Sequence, residues 1–419
     1  MLLTLLSAAL AMDLQVVELP AGDRLVLVQD TRADLVTMTA RFPVGDFSPV
    51  WHAEHLDEIW RFQILDPEGE LRRQADALAA DVDLTVNSRN ATIKATCLRD
   101  DMRDCAVLIA DTLQNTTIDR DELKRARKGH RTEWKMRLSD PSFVLRRAAE
   151  QALYTESDPR RSDVEKPRKP SLRVARDASI KNAVLQQPGR LLGFSGNLSL
   201  DEAQELVALF ALPEPTVARP EWSVVLPPLK AAGATTIEVE LPDLTQVYFA
   251  LFRPGIVHGD ENIPHQYIAH RVLVDDFYSR MSRALRHDSG LTYGVSGSSW
   301  MALSEPCYRL TSYSKLETGE EAIAVMQETL ADFAAHGITE EEREQAVSYL
   351  LGKHAVANSA PWGLMWDRIN ELQHGWERDH YGEMKRAAAE LSVDEINRWI
   401  AEFYDPQQWS LVVLRPEGT

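Results

Sequence analysis

The alternation of apolar and polar residues predicts strands mixed with helices from the start of the chain. Strand patterns lie at Asp13–Val28, Leu35–Phe42, Leu84–Ser88, Ala91–Leu98 and Leu191–Phe194. Helical patterns lie at Pro49–Phe62, Glu70–Ala80, Asp101–Leu113 and Leu200–Phe210, and another helix is expected to begin near Asp119. Since strands and helices do not alternate strictly, the order predicts an α+β fold with mixed sheets.

The second half of the chain repeats this order. Strand patterns lie at Ile237–Leu241, Val247–Phe252, Tyr293–Ser299 and Cys307–Ser314, and helical patterns at Tyr267–Arg286 and Ala322–Ala335. The segment Thr117–Leu123 resembles Gly337–Arg343, because each follows an apolar helix and begins another. The offset of about 220 residues is close to half of the chain, which indicates a duplicated domain.

Proline-rich sequence divides the two halves. Pro213, Pro215, Pro220, Pro227 and Pro228 lie close together, and such a stretch continues neither a helix nor a central strand. We therefore predict an N-terminal domain at 12–211, a linker at 212–232 and a C-terminal domain at 233–419.

The composition narrows the class of protein. Of 419 residues 44% are apolar, enough for a folded core in each half. The chain has 46 Lys and Arg against 64 Asp and Glu, a net charge of -18, so a nucleic-acid partner is not expected. No apolar run reaches the roughly 18 residues of a membrane-spanning helix. The three cysteines lack the spacing of a disulfide framework or a CxxC metal site.

The first eleven residues, Met1–Ala11, are apolar and end in Ala9-Leu10-Ala11, the small-x-small form of a signal-peptidase site. This predicts a short signal peptide and a periplasmic or secreted protein. A basic segment before the apolar run is absent, so an apolar strand or a misplaced start, with a cytoplasmic protein, is the alternative.

A first candidate site begins at the predicted helix that follows Pro49. A helix with His-x-x-Glu-His places two imidazoles one turn apart to bind zinc, and its Glu can activate a metal-bound water. Here the corresponding residues are Trp51, Glu54 and His55, and Trp51 supplies no ligand atom. On composition alone, a Glu-His pair on an amphipathic helix is most simply a structural or solvated feature.

This segment resembles the inverted zinc motif of the pitrilysin/insulinase metallopeptidases, and the resemblance extends over nearly the whole chain. It implies that Glu54 is a vestigial general base and that His55 and Glu133 are remnants of the metal ligands. Arg127 matches a motif Arg near Glu133, whereas Ala126 replaces a supporting Glu. The zinc of the family is therefore not expected to bind through the usual ligands.

The C-terminal half matches the family more closely. Phe277–Met281 followed by Leu285–Val295 resembles the signature of the second domain, in which an Arg and a Tyr seven residues later bind substrate peptide. Arg286 and Tyr293 occupy these positions. A guanidinium and a phenol are donors suited to a carbonyl oxygen and its developing oxyanion. Without the signature, Arg286 is a basic residue near a helix end and Tyr293 a core strand residue.

The resemblance implies two homologous domains, each a mixed sheet backed by helices, arranged as a clamshell. It also implies a zinc-less subunit of a heterodimeric metallopeptidase, with Arg286 and Tyr293 acting on a peptide substrate at the zinc site of a homologous partner. One alternative is a self-sufficient zinc endopeptidase that uses an irregular set of ligands, His52, His55 and Glu133. Another is a peptide-binding or scaffold subunit without catalysis.

A stripe at helical spacing, Trp362, Met365, Trp366 and Ile369, is typical of packing rather than of a binding groove.

Overall fold

The chain forms two compact units in a computed structural model. The model describes residues 12–45, 70–87, 89–115, 128–129, 132–156, 158–165, 182, 184–215, 227–230, 232–257, 259–298, 301–302, 306–377 and 379–418. Unit 1 comprises 1–130, 168–225 and 353–381, and unit 2 comprises 131–167, 226–352 and 382–419. Each unit thus combines segments that are distant in the sequence. The predicted linker and domain boundaries remain predictions.

The strands are, in chain order, β1 Asp13–Glu18, β2 Arg24–Gln29, β3 Leu35–Phe42, β4 Asp81–Val86, β5 Ala91–Leu98, β6 Leu191–Gly196, β7 Thr236–Leu241, β8 Gln246–Pro254, β9 Ile256–Val257, β10 Val295–Ser298, β11 Met301–Ala302, β12 Cys307–Lys315 and β13 Ser410–Pro416. The helices are α1 Glu70–Ala77, α2 Met102–Asn115, α3 Pro141–Leu153, α4 Leu200–Phe210, α5 Ile263–Leu273, α6 Gly319–His336, α7 Glu340–Ala357, α8 Pro361–Gln373, α9 His380–Glu390 and α10 Val393–Phe403.

Unit 1 is built on a six-stranded mixed sheet with the order β1-β2-β6-β3-β5-β4. The strand β6 pairs in parallel with β2 and antiparallel with β3, so it lies between two strands that precede it in the sequence. The remaining pairings are antiparallel.

The two faces of this sheet are covered by helices from different parts of the chain. One face of β3, with Met38 and Phe42, packs in the same apolar core as α2 and α4. On the other face Met365 and Ile369 of α8 pack with Val26 and Val28 of β2. Side chains along a strand alternate between the two faces, which accounts for this division. The stripe on α8 is therefore packing, as its spacing predicts.

Unit 2 has a five-stranded sheet with the order β10-β12-β8-β13-β7. Its pairing matches that of unit 1: β13 is parallel to β7 and antiparallel to β8, and β8 and β10 are both antiparallel to β12. One face packs against α6 and α10, with residues such as Phe333 and Ile400. The other packs against α3 through residues such as Leu145. The repeated topology confirms two mixed sheets backed by helices.

Helix starts follow local sequence rules that the repeat shares. Ser199 and Glu202 form a capping box at α4, and Ser392 and Glu395 form one at α10. In each case the serine hydroxyl accepts from a backbone N–H, and the glutamate carboxylate accepts from the serine N–H. These bonds satisfy N–H groups that the first turn of a helix leaves without partners.

Two predicted elements are corrected by the structure. The single strand predicted over Asp13–Val28 is two strands, because Pro20–Gly22 form a turn that reverses the chain. The helix predicted over Tyr267–Arg286 ends at Leu273, and a short helical segment begins after Ser279. The apolar spacing continues through this break, so the pattern did not reveal it.

The strand β6 leaves no room for a side chain at Gly193. An added Cβ would lie 2.5 Å from Ile369 Cδ1, 2.7 Å from Thr39 Cγ2 and 2.9 Å from Met365 Sδ. We expect Gly193→Ala to lower the free energy of unfolding by about 1–3 kcal/mol, because overpacking forces α8 away from the sheet. Urea denaturation measures the change.

The matched control is Gly352→Ala in α7, where an added Cβ meets nothing within 4 Å. We expect it to raise the free energy of unfolding by about 0.5–1 kcal/mol, since Ala favours helix over Gly. Equal stability of the two variants would contradict the close packing at Gly193.

Candidate functional site

The segment that carries Arg286 and Tyr293 lies in unit 2, between α5 and β10. It begins with a short helical segment, Arg280–Ser282, whose N-cap Ser279 accepts from the Ser282 backbone N–H. The helix then widens to a π-helical turn over Arg283–Asp288. It ends before Gly290, whose φ of 66° belongs to the left-handed region. This geometry suits glycine and turns the chain toward Tyr293.

Arg286 lies half-buried in a group of partly exposed aromatic rings. Its guanidinium carbon is 4.3 Å from the centroid of the Phe277 ring, a cation–π contact. His287 stacks on Tyr278 at 5.4 Å, and its Nε2 donates to the Phe277 carbonyl at 3.1 Å. Phe277 and Tyr278 are 51% and 63% exposed. The contact holds the guanidinium over the Phe277 ring, and Arg286 has no carboxylate partner among the described residues.

Tyr293 is exposed, with 78% of its surface accessible, so it is not a core strand residue. The backbone on both sides of it is anchored. Ser314 Oγ donates to the Leu291 carbonyl at 2.7 Å, and Ser312 Oγ lies 3.0 Å from the Gly294 carbonyl. The Tyr293 side chain therefore projects from a fixed loop, and its hydroxyl makes no hydrogen bond within the described part of the chain.

An ion pair ties the start of this segment to α7. Arg280 donates two hydrogen bonds to the Glu342 carboxylate, at 2.9 Å and 2.8 Å. Burial raises the pKa of Glu342, but the bonds from Arg280 and from the Thr339 backbone outweigh it and the pKa is lowered. The pair is therefore charged at neutral pH.

Only some of the remnant zinc positions lie among the residues that the structure describes. Trp51, His52, Glu54 and His55 lie outside the described residues, as do Ala126 and Arg127. Glu133 is described and exposed on the helical segment 132–138. Its neighbour Trp134 is buried and meets Phe143 edge to face at 5.6 Å. The structure thus places Arg286 and Tyr293 in one segment between α5 and β10 and Glu133 on the helical segment 132–138.

The donor set of this chain does not fit the three-ligand zinc site of the resemblance. The indole at Trp51 has no lone pair for a metal, and Glu133 is exposed with no cluster of metal-binding side chains around it among the described residues. No group of three His, Cys, Asp or Glu that could hold a metal occurs among the residues that the structure describes. No described helix is long and apolar enough to cross a membrane.

The fold has close counterparts among two-domain peptidase-like proteins. A peptidase M16 inactive domain from Pseudomonas fluorescens aligns with a TM-score of 0.83 and 17% identity, covering 96% of this chain and 98% of that one. A protease from Helicobacter pylori aligns with a TM-score of 0.83 and 14% identity, covering 97% and 100%. The periplasmic protease PqqL from Escherichia coli aligns with a TM-score of 0.76 and 15% identity, covering 97% of this chain and 46% of that longer one.

At sequence level, residues 190–350 match the family model described as the peptidase M16 inactive domain. A search of curated protein sequences gives no significant match. This segment is similar to that domain of the M16 (pitrilysin) family, and it contains Arg286 and Tyr293.

The loop around Tyr293 depends on Ser312, which is 1% exposed. We expect Ser312→Ala to lower the free energy of unfolding by about 1 kcal/mol, because the Gly294 carbonyl loses a donor. Thermal unfolding by circular dichroism measures it. Ser296→Ala, on the exposed side of β10, is the control and is expected to stay within about 0.5 kcal/mol of the wild type. A larger loss in the control than in Ser312→Ala would contradict this anchoring.

Proposed function

We propose that this chain is the non-catalytic subunit of a heterodimeric metallopeptidase of the pitrilysin type. In this proposal Arg286 and Tyr293 bind the carbonyl groups of a peptide substrate at the zinc site of a homologous partner. The observation that carries it is the Tyr293 side chain, which is 78% exposed on an anchored loop within the inactive-type segment. A large side chain exposed on an anchored loop is typical of a binding role.

The chemistry of the two side chains supports the same role. A guanidinium and a phenol hydroxyl both donate hydrogen bonds, and preorganised donors stabilise the charge that develops on a carbonyl oxygen. These donors and a metal need to meet in one cleft but not in one polypeptide. In the longer PqqL chain, this chain accounts for 46% of the length, so a second chain of similar size would complete an equivalent assembly.

The proposal places the complex in the periplasm or outside the cell, on the signal-like pattern of Met1–Ala11. The composition agrees with a peptide rather than a nucleic acid as the substrate, because the net charge is -18.

We expect Tyr293→Phe and Arg286→Ala each to lower kcat/KM of the reconstituted heterodimer by about 100-fold, because each removes a donor to the oxyanion. The measurement is cleavage of a fluorogenic peptide by this chain mixed with a homologous chain that has an intact His-x-x-Glu-His. Tyr349→Phe and Arg398→Ala remove the same groups elsewhere in unit 2 and are the matched controls; neither is expected to change the rate.

An unchanged rate in the Arg286 and Tyr293 double variant, with the heterodimer still formed, would overturn the proposal. Stoichiometric zinc and peptide cleavage by this chain alone would also overturn it, in favour of a self-sufficient peptidase. Peptide binding without cleavage in any such mixture would favour a scaffold role instead.

A further inference from the structure

A small cavity in unit 1 is lined by a buried cation that has no counter-ion among the described residues. The cavity has a volume of about 140 Å³ and opens between β2, β3 and the end of α8. Its lining residues include Arg41, Arg24, Gln373, Leu191, Leu372 and Glu377. Arg41 is 3% exposed, and no described carboxylate lies within ion-pair distance of its guanidinium. A buried charge of this kind is costly unless something neutralises it.

The environment of Arg41 fixes its guanidinium but satisfies only part of it. Nη1 donates to Asn370 Oδ1 and to Gln373 Oε1, both at 2.7 Å. The guanidinium also stacks over the Trp366 ring, 4.1 Å from the centroid. Nε is buried without a hydrogen-bond partner, and Nη2 donates to none of the described residues. The Nε–Nη2 edge, which can bind a carboxylate with two parallel bonds, is therefore vacant as far as the described residues are concerned.

The described groups around Arg41 do not neutralise its charge. Burial lowers the pKa of Arg41 to about 10, an effect that Tyr381 opposes, so the side chain is charged at neutral pH. The rim carboxylate Glu377 accepts from Arg24 Nη1 at 2.7 Å and is engaged there. Arg24 also pairs with Glu18, at 2.8 Å. Arg24 is therefore engaged by two carboxylates at the rim, whereas no described carboxylate pairs with Arg41.

We propose that this cavity binds a carboxylate group, held by the vacant edge of Arg41. A single unneutralised cation beside the rim carboxylate Glu377 favours a monoanion over a phosphate dianion. Leu191, Leu372 and Pro43 supply apolar walls for a short stem attached to the carboxylate. The ligand is either a small free acid or the C-terminus of a peptide. The site lies in unit 1 and does not depend on the roles of Arg286 and Tyr293.

The test is calorimetric titration of the full chain at neutral pH and constant ionic strength. The probes are acetate, butyrate, an N-acetylated dipeptide with a free C-terminus, the same dipeptide as its amide, and inorganic phosphate. We expect saturable binding of at least one carboxylate and about tenfold or more weaker binding of phosphate. Butyrate binding without dipeptide binding identifies a free acid, and tighter binding of the free dipeptide identifies a peptide terminus. Equal binding of the amide would contradict the proposal.

Gln373→Glu is the decisive variant, because it places a carboxylate 2.7 Å from Arg41 in the position of an existing acceptor. We expect it to raise the melting temperature of the ligand-free protein and to weaken carboxylate binding by about tenfold or more. Arg41→Met is expected to abolish binding. Unchanged binding in both variants, or no binding of any carboxylate to the wild type, would overturn the proposal.

Arg253→Met is the matched control for loss of a buried arginine. Burial also lowers the pKa of Arg253 to about 10, but this residue lies in unit 2 and donates to the Phe403 and Pro254 carbonyls. We expect the variant to bind the carboxylate probes with the affinity of the wild type. A loss of binding equal to that of Arg41→Met would assign the effect to stability and overturn the proposal.

Discussion

The large sheet of each unit depends on one strand that returns late and inserts between two earlier strands. In unit 1, β6 begins at Leu191 and pairs with β2 on one side and β3 on the other. In unit 2, β13 occupies the same place between β7 and β8. Until the returning strand arrives, its two neighbours have unpaired backbone groups facing one another. Such pairing of distant segments closes a long loop before it gains any contact, so it is entropically costly.

The inserted strand also determines what can cover the sheet. At Gly193 the strand β6 approaches α8 so closely that an added Cβ would lie 2.5 Å from Ile369. The apolar residues of β3 alternate with Thr39 and Arg41, which face the side covered by α8. A cation beneath a packed helix is therefore a direct consequence of the strand period. The alternative, an apolar residue at this position, would fit the same face without the cost of a buried charge.

The sequence predicted the parts of the fold that depend on local pattern. Leu35–Phe42, Ala91–Leu98 and Leu200–Phe210 have the predicted bounds, because alternation or helical spacing is strong in each. The strand β13 was not anticipated, since a short apolar run near a chain end gives no sign of its distant partners. The burial of Arg41 could not be predicted either, because it depends on α8, which lies more than 300 residues away in the sequence.

At the candidate site, too, the sequence reveals only part of the structure. Resemblance over a signature can select Arg286 and Tyr293, but it says nothing of the serines on β12 that hold their loop. The fold itself survives at 14–17% identity to its counterparts, because alternating apolar positions tolerate many substitutions. The chemistry of individual side chains does not tolerate such substitutions, so the shared fold does not carry a shared activity.

Ser312 and Ser314 make hydrogen bonds to backbone carbonyls beside an exposed tyrosine, and apolar residues would serve the sheet equally well. Hydroxyls at these positions hold the loop rather than the core, so the exposed phenol projects from backbone that is anchored on both sides.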